Sequence, residues 1–327
     1  MLQYFIRRLF MVIPVLIGVS LLVFLLVHIT PGDPIRIMVG LDATPEEIDR
    51  IRTLYGFDQP LYIQYWQFIS RAVFGDLGMS IRQHMPVTTL IFERFPATLE
   101  LTITALFIAV IFAIPLGVLA ATKQHSWLDI SSMSLALVGV SMPGFWLGLI
   151  LLIYVALPSS FFGMFGRGPA FLEGVRVLLF RFDPSVILDS LRYLLLPAIS
   201  MGAVLAGLIT RLTRNCLLEI LKQDYIRTAQ AKGLAKRVVI YKHALRNALL
   251  PIITVVGLQL GILIGGAVII EVVFSWPGMG RMIIEAIRRR DFPLLQGSVL
   301  MMAVVFVLIN LTVDILYALI NPKIRYD

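Results

Sequence analysis

Nine basic side chains fall within residues 211–250: Arg211, Arg214, Lys222, Arg227, Lys232, Lys236, Arg237, Lys242 and Arg246. Only Glu219 and Asp224 oppose them. A cluster of this kind can fix a chain's orientation in a bilayer, lie on anionic lipid, or dock a partner protein. Charge alone does not choose among the three. The stretch Asp224-Tyr225-Ile226-Arg227-Thr228-Ala229-Gln230-Ala231-Lys232-Gly233-Leu234 adds a second signal. Thr228, Ala229 and Ala231 are small enough for another backbone to come close. Gly233 ends the run because glycine adopts the positive φ that terminates a helix. The spacing predicts an amphipathic helix over 217–226, extending the preceding apolar segment, and a second basic helix over 236–249.

Other chemistries find no footing. The chain has no Gly-x-x-x-x-Gly-Lys-Ser/Thr loop to cradle phosphates and no His-Glu-x-x-His pair to hold zinc. Ser141 sits in an apolar run, but a nucleophilic serine needs a neighbouring base. The only later histidine is His243, in the basic stretch. His28, His84 and His125 lack ligand spacing. Cys216 is the single cysteine, which excludes an intrachain disulfide. The sequence predicts a chain without catalytic, cofactor-binding or metal-binding residues.

The elements that position these residues are membrane helices. Hydrophobic residues make up 58% of the 327 and charged residues 15%, against about 25% charged in soluble domains; mean hydropathy is +0.89. Apolar runs long enough to cross a bilayer occur at 9–29, 99–121, 131–157, 193–212, 251–273 and 297–320. This predicts an all-α polytopic protein with six spans. Arg7 and Arg8 precede the first run, which is longer than a signal h-region and lacks a small-residue cleavage site, so it reads as an uncleaved span. With both termini in the cytoplasm, about half of the 28 basic residues fall on that side, and Arg288, Arg289 and Arg290 are the exception. The net charge of +8 thus follows topology and does not indicate nucleic acid.

The organisation expected is a first span (1–29), an extracytoplasmic helical insertion (30–98), a five-helix core (99–320) holding the cytoplasmic loop 213–250, and a cytoplasmic tail (321–327). Within the insertion, Thr44-Pro45-Glu46-Glu47 has the form of a capping box with proline at the first helical position. The helix it opens should stop at Gly56. An aromatic-rich helix follows Pro60 and a third follows Pro86. Gly257, Gly261 and Gly265 recur every fourth residue and predict a close helix contact, within the chain or against a second subunit. Gly144 and Gly148 predict another. The spans carry no evident proton or sodium relay: 131–157 has no acid, base or histidine, and only Gln259, Asn310 and Asp314 lie deep.

In sequence order the chain also shows Pro31-Gly32-Asp33-Pro34, Phe74-Gly75-Asp76-Leu77-Gly78, Pro96-Ala97-Thr98-Leu99-Glu100-Leu101, Ser141-Met142-Pro143, Phe274-Ser275-Trp276-Pro277-Gly278-Met279-Gly280 and Asn321-Pro322-Lys323-Ile324-Arg325. With the Asp224 to Gly233 stretch, this series resembles the permease subunits of dipeptide/oligopeptide/nickel-type ABC importers over nearly the whole chain. It is most similar to the first of the two peptide-type permeases. The family's Glu-Ala-Ala-x-x-x-Gly loop maps onto Arg227, Thr228, Ala229 and Gly233. Arg227 replaces the glutamate, and Arg246 stands where a later proline is common.

The resemblance implies the type I importer permease fold in a bacterial or archaeal cytoplasmic membrane. It also implies a second homologous permease, two cytoplasmic ATPases that carry ATP and magnesium, and an extracytoplasmic binding protein that delivers a solute, with di- or oligopeptides leading. Asp224, Tyr225, Arg227, Thr228, Ala229, Ala231, Gly233 and Arg246 are then expected to contact the ATPases. Phe274, Trp276, Pro277, Gly278 and Gly280 are expected to form a rigid outer turn near the external gate. The alternative from another class is a secondary transporter or channel that works alone.

Overall fold

The computed structural model describes residues 2–29, 44–54 and 56–320. The Pro31-Gly32-Asp33-Pro34 motif and the tail 321–327 lie outside them. The described residues are helical, with no strand, and form two compact units. One comprises the described residues up to Pro96 together with Gly278–Leu311; the other comprises Ala97–Pro277 and the described residues from Thr312.

In the first unit, α1 (Leu2–Ile29) carries a 20-residue apolar segment from Phe10 to Ile29. Ser20, Val23, Phe24 and Val27 turn inward, whereas Phe10 and Leu22 are exposed, as lipid-facing positions are. The capping box at Thr44 forms as expected. The Glu47 backbone N–H donates to Thr44 Oγ1 at 3.3 Å, the Thr44 N–H donates to Glu47 Oε2 at 3.0 Å, and α2 runs over Pro45–Leu54. Gly56 takes a φ of +70° just beyond it. The aromatic helix α3 (Leu61–Val73) sits on α1: Tyr65 Oη is 2.9 Å from Ser20 Oγ, and His28 Nε2 is 3.1 Å from Gln64 Oε1. Near its end, Ser80 Oγ donates to Asp291 Oδ2 at 2.5 Å, and the N–H groups of Ile81 and Arg82 reach the same carboxylate at 3.2 Å each.

The helix after Pro86 does not stop before the second span. It continues as one helix, α4 (Val87–Thr122, 36 residues), about 54 Å long at 1.5 Å per residue. Val87, Leu90 and Ile91 bury its first turns against Met279, Met282, Ala286 and Leu294 in the first unit.

The second unit holds the remaining spans. The expected third span, 131–157, is broken: α5 (Trp127–Ser141) and α6 (Gly144–Leu151, continued by a π-helical turn at Leu152–Ala156) meet at 103°. The cause is local. Pro143 disfavours the α conformation at the residue before it, and Met142 is extended at φ −87°, ψ 123°. Helix α7 (Phe171–Arg181) leads into α8 (Ser185–Leu221). In α8, 61% of the apolar window is buried, against 22–33% in the four other long helices, which makes it the central helix of this unit. It packs against α5, α6 and α7, and against α10 (Leu245–Val273), which a π-helical turn over Val239–Ala244 precedes. Among the described residues, five helices are long and apolar enough to cross a membrane, and the bent pair makes six. Helices α11 (Met279–Arg289) and α12 (Phe292–Ile320) complete the chain.

The glycines divide unevenly. A Cβ on Gly144 would stand 3.1 Å from the Ser200 carbonyl oxygen and one on Gly148 3.0 Å from Phe274, so both allow close packing. Of the regular trio, a Cβ on Gly257 would stand 2.5 Å from Val313 and Gly261 is buried, but a Cβ on Gly265 would meet nothing within 4 Å.

Candidate functional site

The basic loop folds into a short helix set beyond the end of α8. The expected extension over 217–226 does not form: α8 stops at Leu221, Lys222 caps it, and Gln223 is extended at φ −72°, ψ 150°. A separate helix, α9 (Asp224–Ala231), follows. The break changes which residue turns inward. An unbroken helix would put Tyr225 on the stripe of Leu217, Leu218 and Leu221, yet Tyr225 is 44% exposed and Ile226 is fully buried. Ile226 and Ala229, three residues apart and therefore on one face, pack against Val118, Ala121, Leu217, Val239, Ile240, Ala244 and Ala248. Ala229 is thus small for the benefit of its own chain. The apolar residue that matters most here, Ile226, was hidden by the assumption of helical continuity.

The outward face of α9 presents Asp224, Tyr225, Arg227, Thr228 and Ala231. Asp224 begins the helix, where its charge is favoured by the positive end of the helix dipole. At the other end the Gly233 N–H donates to the Gln230 carbonyl at 2.9 Å and the Leu234 N–H to the Ala229 carbonyl at 3.4 Å, with Gly233 at φ +75°. These two bonds and the left-handed glycine are a Schellman cap. Asn247 Nδ2 donates to Tyr225 Oη at 2.8 Å and ties α9 to α10, next to the exposed Arg246.

An ion pair absent from the sequence reading holds the base of this assembly. Arg214 Nε donates to Asp129 Oδ1 at 2.7 Å and Nη2 to Oδ2 at 2.8 Å. This is the two-pronged geometry that makes arginine–carboxylate pairs strong. The His125 N–H adds a bond to Oδ2 at 3.1 Å, and Ser126 caps α5 by accepting from the Asp129 N–H. In the sequence Arg214 is one of nine basic charges, and the local signal for its partner is that Asp129 is the lone acid of residues 123–141, three residues beyond Ser126.

At the opposite end of the same unit, two motifs that the sequence shows only in succession come into contact. Trp276, 1% exposed, donates from Nε1 to the Ala97 carbonyl at 2.9 Å. Thr98 Oγ1 donates to Glu271 Oε1 at 2.6 Å, and that carboxylate is fully buried. Glu100 pairs with Arg167 and accepts from the Phe171 N–H at 3.0 Å. The Gly166 N–H donates to the Phe274 carbonyl at 2.9 Å, and Ser275 is held at φ +52°. Phe274 is as buried as Trp276, and Pro277 is intermediate. Gly278 and Gly280 lie in the other unit, where Gly278 caps α11. Trp276→Phe removes the indole N–H that donates to the Ala97 carbonyl and shrinks a buried ring, so a loss of at least about 1–2 kcal/mol is expected. Thermal unfolding of the purified chain in detergent measures it, and an unchanged midpoint would show that the indole bond contributes nothing.

No group of three or more histidine, cysteine or acidic side chains is placed to hold a metal among the described residues. Apolar helices packed on α8 in the second unit, with the short α9 beyond its end, mark a polytopic α-helical membrane protein. Residues 1–102 match the N-terminal family described as "Binding-prot-dependent transport system membrane comp, N-term", and residues 113–326 match "Binding-protein-dependent transport system inner membrane component". The chain belongs to this family of binding-protein-dependent transport permeases. It is 44% identical over 333 residues to the dipeptide transport system permease protein DppB of Alkalihalophilus pseudofirmus, covering 100% of both chains. It is 43% identical over 326 residues to the glutathione transport system permease protein GsiC of Escherichia coli O6:H1, again covering 100% of both. With DppB of Escherichia coli K12 it shares 44% over 337 residues, covering 100% of this chain and 99% of the other. Among solved structures, the MetNI methionine ABC transporter in an inward-facing conformation aligns with a TM-score of 0.55 at 17% identity. That alignment covers 71% of this chain and 96% of the other. The likeness shows the importer permease fold. The protein is a multi-pass inner-membrane transport subunit, and it is not an enzyme.

Proposed function

We propose that this chain forms half of the translocation path of an ATP-driven importer of di- or oligopeptides. The observation that carries the reading is full-length similarity to permeases named for a dipeptide and for glutathione, itself a tripeptide. A second homologous permease forms the other half of the path. Two ATPases supply ATP hydrolysis with magnesium, and an extracytoplasmic binding protein delivers the solute. Both termini and α9 face the cytoplasm, which agrees with the basic excess of residues 211–250.

The ATPases dock on the outward face of α9, on Asp224, Tyr225, Arg227, Thr228 and Ala231, with Arg246 beside it. Ile226 and Ala229 then pass the movement inward to the ends of α4, α8 and α10, on which they pack. The turn at Phe274, Trp276, Pro277, Gly278 and Gly280 serves the external gate.

The test is reconstitution of the permeases, ATPases and binding protein in liposomes. Gly233→Trp meets no neighbour within 4 Å of its Cβ, but it forces a bulky side chain into φ +75°. Ala229→Glu drives a charge into the apolar cluster. Both variants are expected to insert normally and to lose at least about tenfold in peptide uptake, a loss of about 1.4 kcal/mol or more in coupling. Normal uptake with normally stimulated ATP hydrolysis in Gly233→Trp would sink the docking assignment. Uptake by the purified chain alone, without ATPases, would favour a channel or secondary transporter instead.

A further inference from the structure

A cavity of about 480 Å³ opens in the second unit between the segment after α6 and the first turns of α8. Phe161, Gly163, Arg167, Asp189, Arg192 and Tyr193 are among its lining residues. The volume lies within the range of small-molecule sites, about 300–1,000 Å³. Nothing assigned so far to this protein uses it.

Two guanidinium groups, each paired with one carboxylate, line the cavity wall. Arg167 gives Nη2 to Glu100, and Arg192 gives Nη1 to Asp189 at 2.9 Å. The Nε of each is buried and has no hydrogen-bond partner. Guanidinium carries five N–H donors in a fixed plane, and buried donors without acceptors are rare. Both guanidinium groups line this one cavity, and their planar forks fit a planar, two-oxygen anion, which is a carboxylate. A dianion such as phosphate is disfavoured by Asp189, whose half-exposed carboxylate lies on the same wall.

The wall is also held in shape. Arg167 is fixed by Glu100 and lies 5.9 Å from the Trp276 ring centroid, and Arg192 lies 5.1 Å from that of Phe161. The backbone comes close where glycine permits it. A Cβ on Gly163 would collide with the Tyr193 ring, and one on Gly168 would stand 2.8 Å from the Asp189 carbonyl oxygen. Phe161 and Tyr193 supply ring surface for an apolar side chain.

We propose that this cavity is a carboxylate-recognising site that receives the C-terminus of a short peptide through Arg167 and Arg192. The proposal rests on the peptide-importer reading above. The full chain in lipid nanodiscs is titrated with Ala-Ala and with Ala-Ala amide, and binding is followed by saturation-transfer NMR. Saturable binding of the free acid is expected, weakened about tenfold or more by amidation and by Arg192→Gln. Arg167→Lys, which keeps a charge beside Glu100 but removes the planar fork, is the second variant with the same expectation. Equal binding of acid and amide, or binding unchanged in both variants, overturns the proposal. Uptake of a labelled mixture of short peptides by the assembled importer separates the two claims. Uptake that is unchanged in Arg192→Gln overturns the cavity's role and leaves the peptide reading standing. No uptake by the native assembly overturns the peptide reading and this proposal with it.

Discussion

Replacing Arg214 by methionine is expected to destabilise the chain by about 3 kcal/mol, because it strands the Asp129 carboxylate. Breaking a buried pair costs about 3–5 kcal/mol when the remaining charge has no other solvation. The Asp129 side chain is 7% exposed and that of Arg214 22%, which places the effect at the lower end of that range. Asp129 retains the His125 N–H, but one neutral donor does not replace a two-pronged guanidinium. Asp129→Leu combined with Arg214→Met removes both charges together and is expected to recover most of the loss, since an ion pair contributes little net stability over apolar residues of similar size. Thermal unfolding in one detergent, with all three variants side by side, measures the coupling. A double variant no more stable than Arg214→Met alone would mean that methionine harms α8 for some other reason. The consequence extends to α9, because Arg214 lies two turns before the end of α8, where Leu217 meets Ile226.

How much of this was legible in the sequence depends on the range over which each residue acts. The capping box at Thr44 and the αL glycine at Gly233 are local, and composition at adjacent positions specifies them; the break at Pro143 is local too, but the apolar run 131–157 reads as one span. The spans followed from apolar length alone. Their ends did not: α4 runs through the proline at Pro96, and α8 starts at Ser185 rather than near 193, because helix continues past the membrane wherever tertiary packing covers it. The pairs Asp129–Arg214, Ser80–Asp291 and Trp276–Ala97 join residues 85, 211 and 179 positions apart, and no periodicity reports such distances. The short helix was legible as a small-residue stretch ending in glycine. Its inner face was not, because the turn at Lys222 and Gln223 shifts the register by one residue, and one residue decides between Tyr225 and Ile226.

The glycines make the same point. The evenly spaced trio at 257, 261 and 265 drew attention, yet the tightest helix crossing lies elsewhere. A Cβ on Gly207 of α8 would collide with the Ala136 carbonyl oxygen of α5 and stand 2.8 Å from Val140 Cγ2. Across the same crossing, a Cβ on Gly139 would lie 2.9 Å from the Ala203 carbonyl oxygen. A backbone oxygen cannot rotate aside as a side chain can, so the helices must separate. In a bilayer no hydrophobic force draws them back, because helix association there rests on close packing itself. Gly207→Ala is therefore expected to lose about 2 kcal/mol, within the range for overpacking a dense site. Gly207→Val should leave little folded chain to purify from membranes. Gly265→Ala is the control: with nothing within 4 Å of its Cβ, alanine should stabilise α10 by about 0.5–1 kcal/mol through helix propensity. Yield and unfolding midpoint of the separately expressed chain test all three variants. Equal tolerance of Gly207→Val and Gly265→Ala would mean that α5 and α8 do not meet at these glycines. If Gly265→Ala is harmless in the isolated chain but Gly265→Leu blocks assembly with a second permease, the open side of Gly265 is the face on which that partner closes.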